Sequence, residues 1–304
     1  MVKEAVQDSY DVLIVGAGPA GLTAALYAVR SGLKTVIISR TLGGTVNSIK
    51  EIENWPGYSG SGIELMKSFY EQLKKYKIEV VLDDVRTIEK KGKDFSVKTM
   101  DKEFYTKTII LATGIKREDL KIKGEDKLKG KGVSYCVTCD GFFFKGKEVA
   151  LIVKEDLKAE EVVTLANLAK KIYVLCNKKL KCEKELKSLI KNEKVEIIYG
   201  GVPQEIFGEK KVESLWIKSA DGERELKVEG IFIEAGATPI TEFTKKLGLK
   251  SDSKKFIVVD GNMQTSAAGV FAAGDVTNSS VKQVITASSE GAIAAKKAGD
   301  YLGK

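Results

Sequence analysis

Gly16-Ala17-Gly18-Pro19-Ala20-Gly21 stands between a short strand-like run at 11–15 and a helix-like stretch at 22–31, and a second β-branched run follows at 35–38. Strand, glycine turn, helix, strand is the context that gives G-x-G-x-x-G a structural meaning. The first glycine permits a tight turn, the second lets the backbone approach a pyrophosphate, and the third lets helix and sheet pack closely. The helix start then offers N–H groups and a positive dipole end to phosphates. A parallel α/β sheet with a dinucleotide at Gly16, Gly18, Pro19, Ala20 and Gly21 is therefore expected. An acidic residue about twenty positions on usually holds the adenosine ribose. Here Ser39-Arg40-Thr41 ends the second strand, and the ribose contact stays unassigned.

The rest of the chain repeats that plan. Gly43-Gly44 and Glu53-Asn54-Trp55-Pro56-Gly57 are turns, and paired glycines permit a backbone to lie against a flat ligand. A helix is expected at 62–75, strands at 78–82 and 95–98, and a buried strand at 108–114 that ends in the small residues Ala112-Thr113-Gly114. Then 148–153 reads as a strand, 159–169 as a helix and 172–175 as a strand, and 231–239 echoes the small-residue ending. The pattern thus appears twice, which points to a duplicated nucleotide-binding architecture. Residues 269–276 read as a strand that delivers Gly274 and Asp275 at its tip, where ligands of such sheets sit. A helix at 284–302 closes the chain.

Cys136-Val137-Thr138-Cys139-Asp140 is the other chemical feature. Two cysteines with two residues between them can close a small disulfide ring that stores two electrons and returns them by thiol exchange. There is no histidine in the chain, so Asp140 is the candidate for proton transfer. A zinc site is not expected, since Cys176 and Cys182 lie far off in another spacing and no imidazole can complete the shell. Two inert buried cysteines remain the plainer alternative. Phe142-Phe143-Phe144 reads as core or as a cover over the cysteines rather than a nucleic-acid platform.

At 304 residues the chain is comfortable for two domains. Its 50 basic and 42 acidic residues are scattered, so the net charge of +8 reads as a solvated surface and not as a nucleic-acid site. The uncharged stretch 12–29 is interrupted by glycines and Pro19, so no membrane span is expected. With few cysteines and no secretory apolar core at the start, a reducing cytoplasm is expected, where Cys-x-x-Cys is more often catalytic than structural.

In order and spacing, these motifs resemble the low-molecular-weight thioredoxin reductases, the flavoprotein disulfide reductases, over nearly the whole chain. The matching pieces are residues 16–21, 53–57, 112–114, 136–141 and 269–276, with Lys282-Gln283-Val284 where the family commonly has Arg-Gln-Ala. The resemblance implies two Rossmann-like domains: a discontinuous FAD domain, 1–116 plus 246–304, and an inserted NAD(P)H-type domain, 117–245, that carries the cysteines. It implies FAD held by the glycine turn, Gly43, Gly44, Asn54, Thr113, Gly114, Gly274, Asp275, Lys282, Gln283 and Val284. It also implies Cys139 beside the flavin, Cys136 as the sulfur that attacks a thioredoxin-like or glutaredoxin-like partner, Asp140 as acid/base, and a homodimer whose domains rotate to expose the cysteines alternately.

One departure bears on the electron donor. After the strand at 149–152, Val153-Lys154-Glu155-Asp156 stands where the family has a glycine-rich turn for NADPH. Like charges at about 4 Å in partly solvated surroundings repel by a few kcal/mol, so Glu155 and Asp156 would oppose a pyrophosphate. Cys176-Asn177-Lys178 replaces the family's His-Arg-Arg cluster, with Lys179 and Lys181 near. The expectation is an FAD-dependent disulfide oxidoreductase that does not use NADPH efficiently, with a reduced ferredoxin, a free reduced flavin or a dithiol as donor. Two alternatives stand beside it: a conventional NADPH-dependent reductase with an altered cofactor grip, and a flavin-binding redox sensor or scaffold that does not turn over.

Overall fold

Val12, Leu13, Ile14 and Val15 are all buried, but in two different cores. Val12 and Ile14 face the helices, while Leu13 and Val15 join Ile88, Phe95 and Val97 on the other face. A strand apolar on both faces belongs inside a covered parallel sheet. That is its place in the computed structural model, which describes residues 9–154, 159–177, 184–191 and 193–304. The chain forms two compact units, Met1–Lys116 with Thr238–Lys304, and Arg117–Ala237.

In the first unit the parallel strands run Glu79–Leu82, Thr35–Leu42, Ser9–Ala17, Glu103–Leu111 and Val270–Ala272 across the sheet. Asp94–Lys98 and Thr87–Lys91 extend it antiparallel from the first half of Glu103–Leu111. Helices Pro19–Arg30 and Val284–Tyr301 pack together on one face through alanines and glycines. The uncharged stretch from Val12 is therefore divided between a strand and a helix, and among the described residues no helix is long and apolar enough to cross a membrane.

The second unit repeats the order with Val195–Tyr199, Lys171–Cys176, Glu148–Val153, Gly230–Glu234 and Val133–Ser134, all parallel. Ala150 and Ile152 face one core; Val149, Leu151 and Val153 face the other. A separate antiparallel meander, Val202–Phe207, Ser214–Ser219 and Gly222–Lys227, completes the unit. The two units differ in where the edge strand comes from. Val270–Ala272 arrives late in the chain, whereas Val133–Ser134 precedes the rest of its sheet.

The return to the first unit falls at 237/238, ahead of the expected 245/246. The reason is the 3-10 helix Glu242–Leu247. Its Phe243 and Leu247 pack on the core of the first unit, and Lys246 Nζ lies 2.5 Å from Glu89 Oε1. The aromatic run also divides. Phe144 is buried edge-on against Phe232, Phe143 packs against the same core, and Phe142 is 61% exposed and so outside the core.

Asp11 opens the central strand of the first unit and is nearly buried. Burial by itself would raise its pKa. Lys304 Nζ at 2.8 Å, Lys107 Nζ at 2.9 Å and Lys34 N–H at 3.0 Å outweigh that, and the carboxyl is lowered to about 2. A folded-state pKa below the ordinary value of 3.8 gives stability that is present above about pH 4 and is lost as pH falls toward 2. Asp11→Asn is therefore expected to lower stability at neutral pH by about 1–2 kcal/mol. In urea titrations the gap from wild type should narrow as the pH is lowered through that window.

Candidate functional site

Each glycine of the first turn is required for a different reason. Gly16 has φ +109°, and a Cβ there would overlap the Ala112 carbonyl. A Cβ at Gly21 would overlap the Gly16 carbonyl, so helix Pro19–Arg30 could not approach the sheet. A Cβ at Gly18 would meet no protein atom within 4 Å. The absence of a side chain at Gly18 therefore serves open space in front of the turn, as close approach of a pyrophosphate requires. Gly18 also N-caps the helix without a side-chain hydrogen bond, and Pro19 follows at its first position. Pro19 lacks an N–H and is pre-set for a helix start. Gly43 and Gly44 have φ +89° and +59°; Gly43 N–H donates to the Ala17 carbonyl at 2.8 Å, and a Cβ on Gly44 would lie 3.6 Å from Gly18 Cα. The two glycine loops thus face each other. Ser39 Oγ accepts the Ala17 N–H at 3.1 Å and donates to the Thr41 carbonyl at 2.8 Å. The residue at the strand end that carries no acid therefore braces the turn.

The strand Val270–Ala272 leads to Gly274, φ +78°, packed on Ala20 and Ala287. Two opposite charges hold the turn that presents Asp275. Glu290, 9% exposed, accepts Gly274 N–H and Ser279 Oγ–H, each at 2.6 Å. Lys282 Nζ donates to the Asp275 carbonyl at 2.9 Å and the Thr277 carbonyl at 2.8 Å, over the ring of Phe256. Next to Glu290, a Cβ on Gly291 would overlap the Ala20 carbonyl, which ties the last helix to the start of the first. Gln283 N-caps Val284–Tyr301 in a capping box with Thr286, and Asn54 Nδ2 donates to Gln283 Oε1 at 3.0 Å. Val284 packs on the core beside them. Thr113 Oγ1 donates to the Ile240 carbonyl at 2.7 Å, and Gly114, φ +68°, has open space where a side chain would be.

The expected cofactor residues of the first unit therefore converge on the carboxyl ends of its parallel strands, and their geometry fits a dinucleotide. Lys282 differs in what it touches, since its ammonium lies on backbone carbonyls of the Asp275 turn. Glu290 and Ser39 were not legible as site residues. In sequence Glu290 is one polar position on a helix, and nothing local marks it as buried.

In the second unit Cys136 and Cys139 form a disulfide, Cα to Cα 5.3 Å. Cys136 caps the short helix Val137–Asp140, and its Sγ accepts Cys139 N–H at 3.2 Å. Val137 anchors that helix in the core, and a Cβ on Gly141 would crowd Leu168 at 3.3 Å. The Asp140 carboxyl is pushed up by burial, while Ser134 and the positive field of Arg117 pull it back. Ser134 Oγ donates to Asp140 Oδ2 at 2.6 Å and accepts Cys136 N–H at 3.1 Å. On the other side of Ser134–Cys136, Tyr135 O–H donates to Glu125 Oε1 at 2.6 Å, and Glu125, 1% exposed, also accepts Ile122 N–H at 2.9 Å. Cys176 is buried, which raises its thiol pKa. Glu155, Asp156, Lys178, Lys179, Lys181 and Cys182 lie outside the described residues. Among the described residues no group of three or more His, Cys, Asp or Glu could hold a metal ion.

Comparison with known proteins agrees with this geometry. Residues 10–291 match the family model of the pyridine nucleotide-disulphide oxidoreductases. The chain is 38% identical to a thioredoxin reductase of Listeria innocua, covering 96% of this chain and 94% of that protein. It is 36% identical to one of Bacillus subtilis, covering 96% and 95%. Among solved structures, the thioredoxin reductase of Streptococcus pyogenes superposes with a TM-score of 0.91 at 39% identity, covering 97% of this chain and 98% of that one. That of Giardia duodenalis also reaches 0.91, at 31% identity over 98% and 100%. The chain belongs to the pyridine nucleotide-disulphide oxidoreductases and, within them, to the low-molecular-weight thioredoxin reductases.

Proposed function

We propose that the protein is an FAD-dependent disulfide oxidoreductase that reduces a thioredoxin-like or glutaredoxin-like protein through Cys136 and Cys139, in the cytoplasm and as a homodimer, with an electron donor other than NADPH. The observation that carries the reading is the joint presence of the glycine cradle at Gly16, Gly18 and Gly44 and the Cys136–Cys139 disulfide beside a part-buried carboxyl. Full-length likeness to proteins named thioredoxin reductase supports the substrate class.

In this reading the turn at residues 16–21 and the helix start after it hold the pyrophosphate of FAD, with Gly43 and Gly44 against it. Asn54, Thr113, Gly114, Gly274, Asp275, Gln283 and Val284 line the remainder, and Lys282 acts through the Asp275 turn. A flavin held by these residues would supply the two electrons that open the Cys136–Cys139 disulfide. The Cys136 thiolate then attacks the partner's disulfide: a mixed disulfide forms, the partner's S–S bond breaks, and its leaving sulfur takes a proton. Asp140 supplies that proton, since burial lets its carboxyl hold one to higher pH than usual. Cys139 next attacks the Cys136 sulfur, which restores the internal disulfide and releases the second partner thiolate. The Cys139 N–H directed at Cys136 Sγ favours negative charge on that sulfur.

The donor reading rests on the second unit. The first unit turns from Ser9–Ala17 into Pro19–Arg30 through Gly18 alone. In the second, Lys154-Glu155-Asp156-Leu157-Lys158 joins Glu148–Val153 to Ala159–Leu168, with no glycine. Lys154 N–H donates to the Glu234 carbonyl at 3.1 Å, and Lys154 Nζ lies 2.7 Å from Glu118 Oε2. This pair sits at the carboxyl ends of two adjacent parallel strands, where such sheets bind ligands. Both side chains are half exposed, so the pair adds only about 0–1 kcal/mol of stability. Its bearing is chemical, because the Lys154 ammonium that could meet a phosphate there is already paired with a carboxylate. A second reading, a reductase that takes NADPH by an altered grip, is favoured by the family's name and by the full-length likeness.

An anaerobic titration separates the two. Micromolar NADPH is expected to leave the flavin absorbance unchanged over minutes, while a reduced ferredoxin or a dithiol bleaches it; bleaching by NADPH selects the second reading. Cys136→Ser should abolish reduction of a thioredoxin, and Cys139→Ser should trap the partner as a mixed disulfide visible on a non-reducing gel. Either variant turning over the partner normally would contradict the assignment. Glu290→Ala leaves the buried Gly274 N–H and Ser279 hydroxyl without their acceptor, a cost of about 1–3 kcal/mol. It is expected to weaken FAD retention roughly tenfold or more, measured as free-flavin fluorescence on dilution.

A further inference from the structure

Ser134 stands between the two groups that the exchange uses. Its strand, Val133–Ser134, is fixed in the sheet by pairing with Ile231 and Phe232, and Ser134 itself is 5% exposed. Its Oγ lies 3.1 Å from Cys136 N, 2.6 Å from Asp140 Oδ2 and 3.3 Å from the Cys136 carbonyl oxygen. A serine hydroxyl has one proton and two lone pairs. The Cys136 N–H takes one lone pair, which leaves one proton facing two acceptors.

We propose that Ser134 is a positioning residue whose single hydroxyl proton couples the protonation state of Asp140 to the backbone of Cys136. This rests on the reading of Asp140 as the proton donor in thiol exchange. While Asp140 is a carboxylate, Ser134 donates to it. When Asp140 carries its own proton, that O–H is directed at the second lone pair of Ser134 Oγ, and the serine proton turns to the Cys136 carbonyl. That carbonyl already accepts Asp140 N–H at 3.1 Å, so the turn holding the attacking cysteine is tightened while the proton is ready. When the proton passes to the partner's leaving sulfur, Asp140 is left ionised and the serine proton returns to it. One proton leaves the site in each exchange, and Ser134 only reorients its own.

The surroundings keep the coupling between these groups. Arg117 is the charged side chain whose field reaches Asp140. Cys136 and Cys139 are the titratable groups beside it on its own short helix. The helix Ala159–Leu168, packed against this turn, presents Leu165 and Leu168 there. A hydrogen bond from Ser134 favours the ionised form of Asp140 and burial favours the neutral form, so removing the hydroxyl should let Asp140 hold its proton to higher pH.

The test uses FAD-loaded enzyme reduced anaerobically with stoichiometric dithionite. It is mixed with an oxidised thioredoxin or, in parallel, with hydroxyethyl disulfide, whose alkyl thiolate leaving group also takes a proton, and the exchange rate is followed against pH. Ser134→Ala is expected to slow exchange about tenfold and to move the fall-off at rising pH upward. Ser134→Thr, which keeps a hydroxyl, should restore both. In an Asp140→Asn background, Ser134→Ala should change the rate by less than about twofold. An unmoved fall-off in Ser134→Ala, or an equal loss in the Asp140→Asn background, overturns the proposal. If Ser134→Ala does not fold, Ser134→Cys, with its weak donor, compared with Ser134→Thr answers the same question. The hydroxyethyl disulfide arm needs no protein docking. Wild-type reaction there with none toward thioredoxin would count against the proposed function, and the Ser134 comparison would still decide the coupling.

Discussion

Backbone meets backbone where the first helix starts, and the ligand-facing edge of the first unit depends on it. A side chain at Gly21 would strike the Gly16 carbonyl, and one at Gly291 would strike the Ala20 carbonyl. These two glycines let three separate stretches of chain, the first turn, the Asp275 turn and the last helix, close on one another. Side chains lock what the glycines permit. Glu290 holds the N–H side of the Asp275 turn, Lys282 holds its carbonyl side, and Ser39 holds the N–H of Ala17. A buried carboxylate is tolerable in such a place because both of its oxygens accept hydrogen bonds.

The two units share a strand order but use its edge differently. In the first, the strand Val270–Ala272 carries Gly274 and Asp275 to the end of the sheet. In the second, Val133–Ser134 holds the equivalent position and carries the redox cysteines. The same topology therefore presents a carboxylate at one edge strand and a disulfide at the other. Function lies in what is placed on the fold and not in the fold itself. The contrast between the single-residue turn at Gly18 and the glycine-free segment after Val153 is another instance of the rule.

Most of the parallel strands and main helices were legible because their signals are local, although Val195–Tyr199 and Val133–Ser134 were not read. A strand buried on both faces must be apolar throughout, as Val12, Leu13, Ile14 and Val15 are, and a glycine turn must contain glycine. Apart from Asp94–Lys98, which was expected as a strand at 95–98, the antiparallel additions were not legible. Gly222–Lys227 alternates charges on an exposed edge, and the hairpin Ile52–Trp55 with Tyr58–Gly60 lies in what reads as a turn. Phe142-Phe143-Phe144 reads as one apolar block, yet a tight 3-10 turn sends Phe144 into the core and Phe142 to the surface.

From the sequence alone came the repeated dinucleotide fold, the glycine positions and the vicinal cysteines with an acid beside them, since each depends on residues adjacent in the chain. Tertiary structure decided that Glu290 is a buried acceptor beneath Asp275, that Lys282 bonds to backbone carbonyls, and that Ser134 joins Asp140 to Cys136. Hydrogen bonds and burial depend on which surfaces close on one another. A one-dimensional pattern shows that a glutamate or serine is present, but not which unpaired N–H or carboxyl it will face.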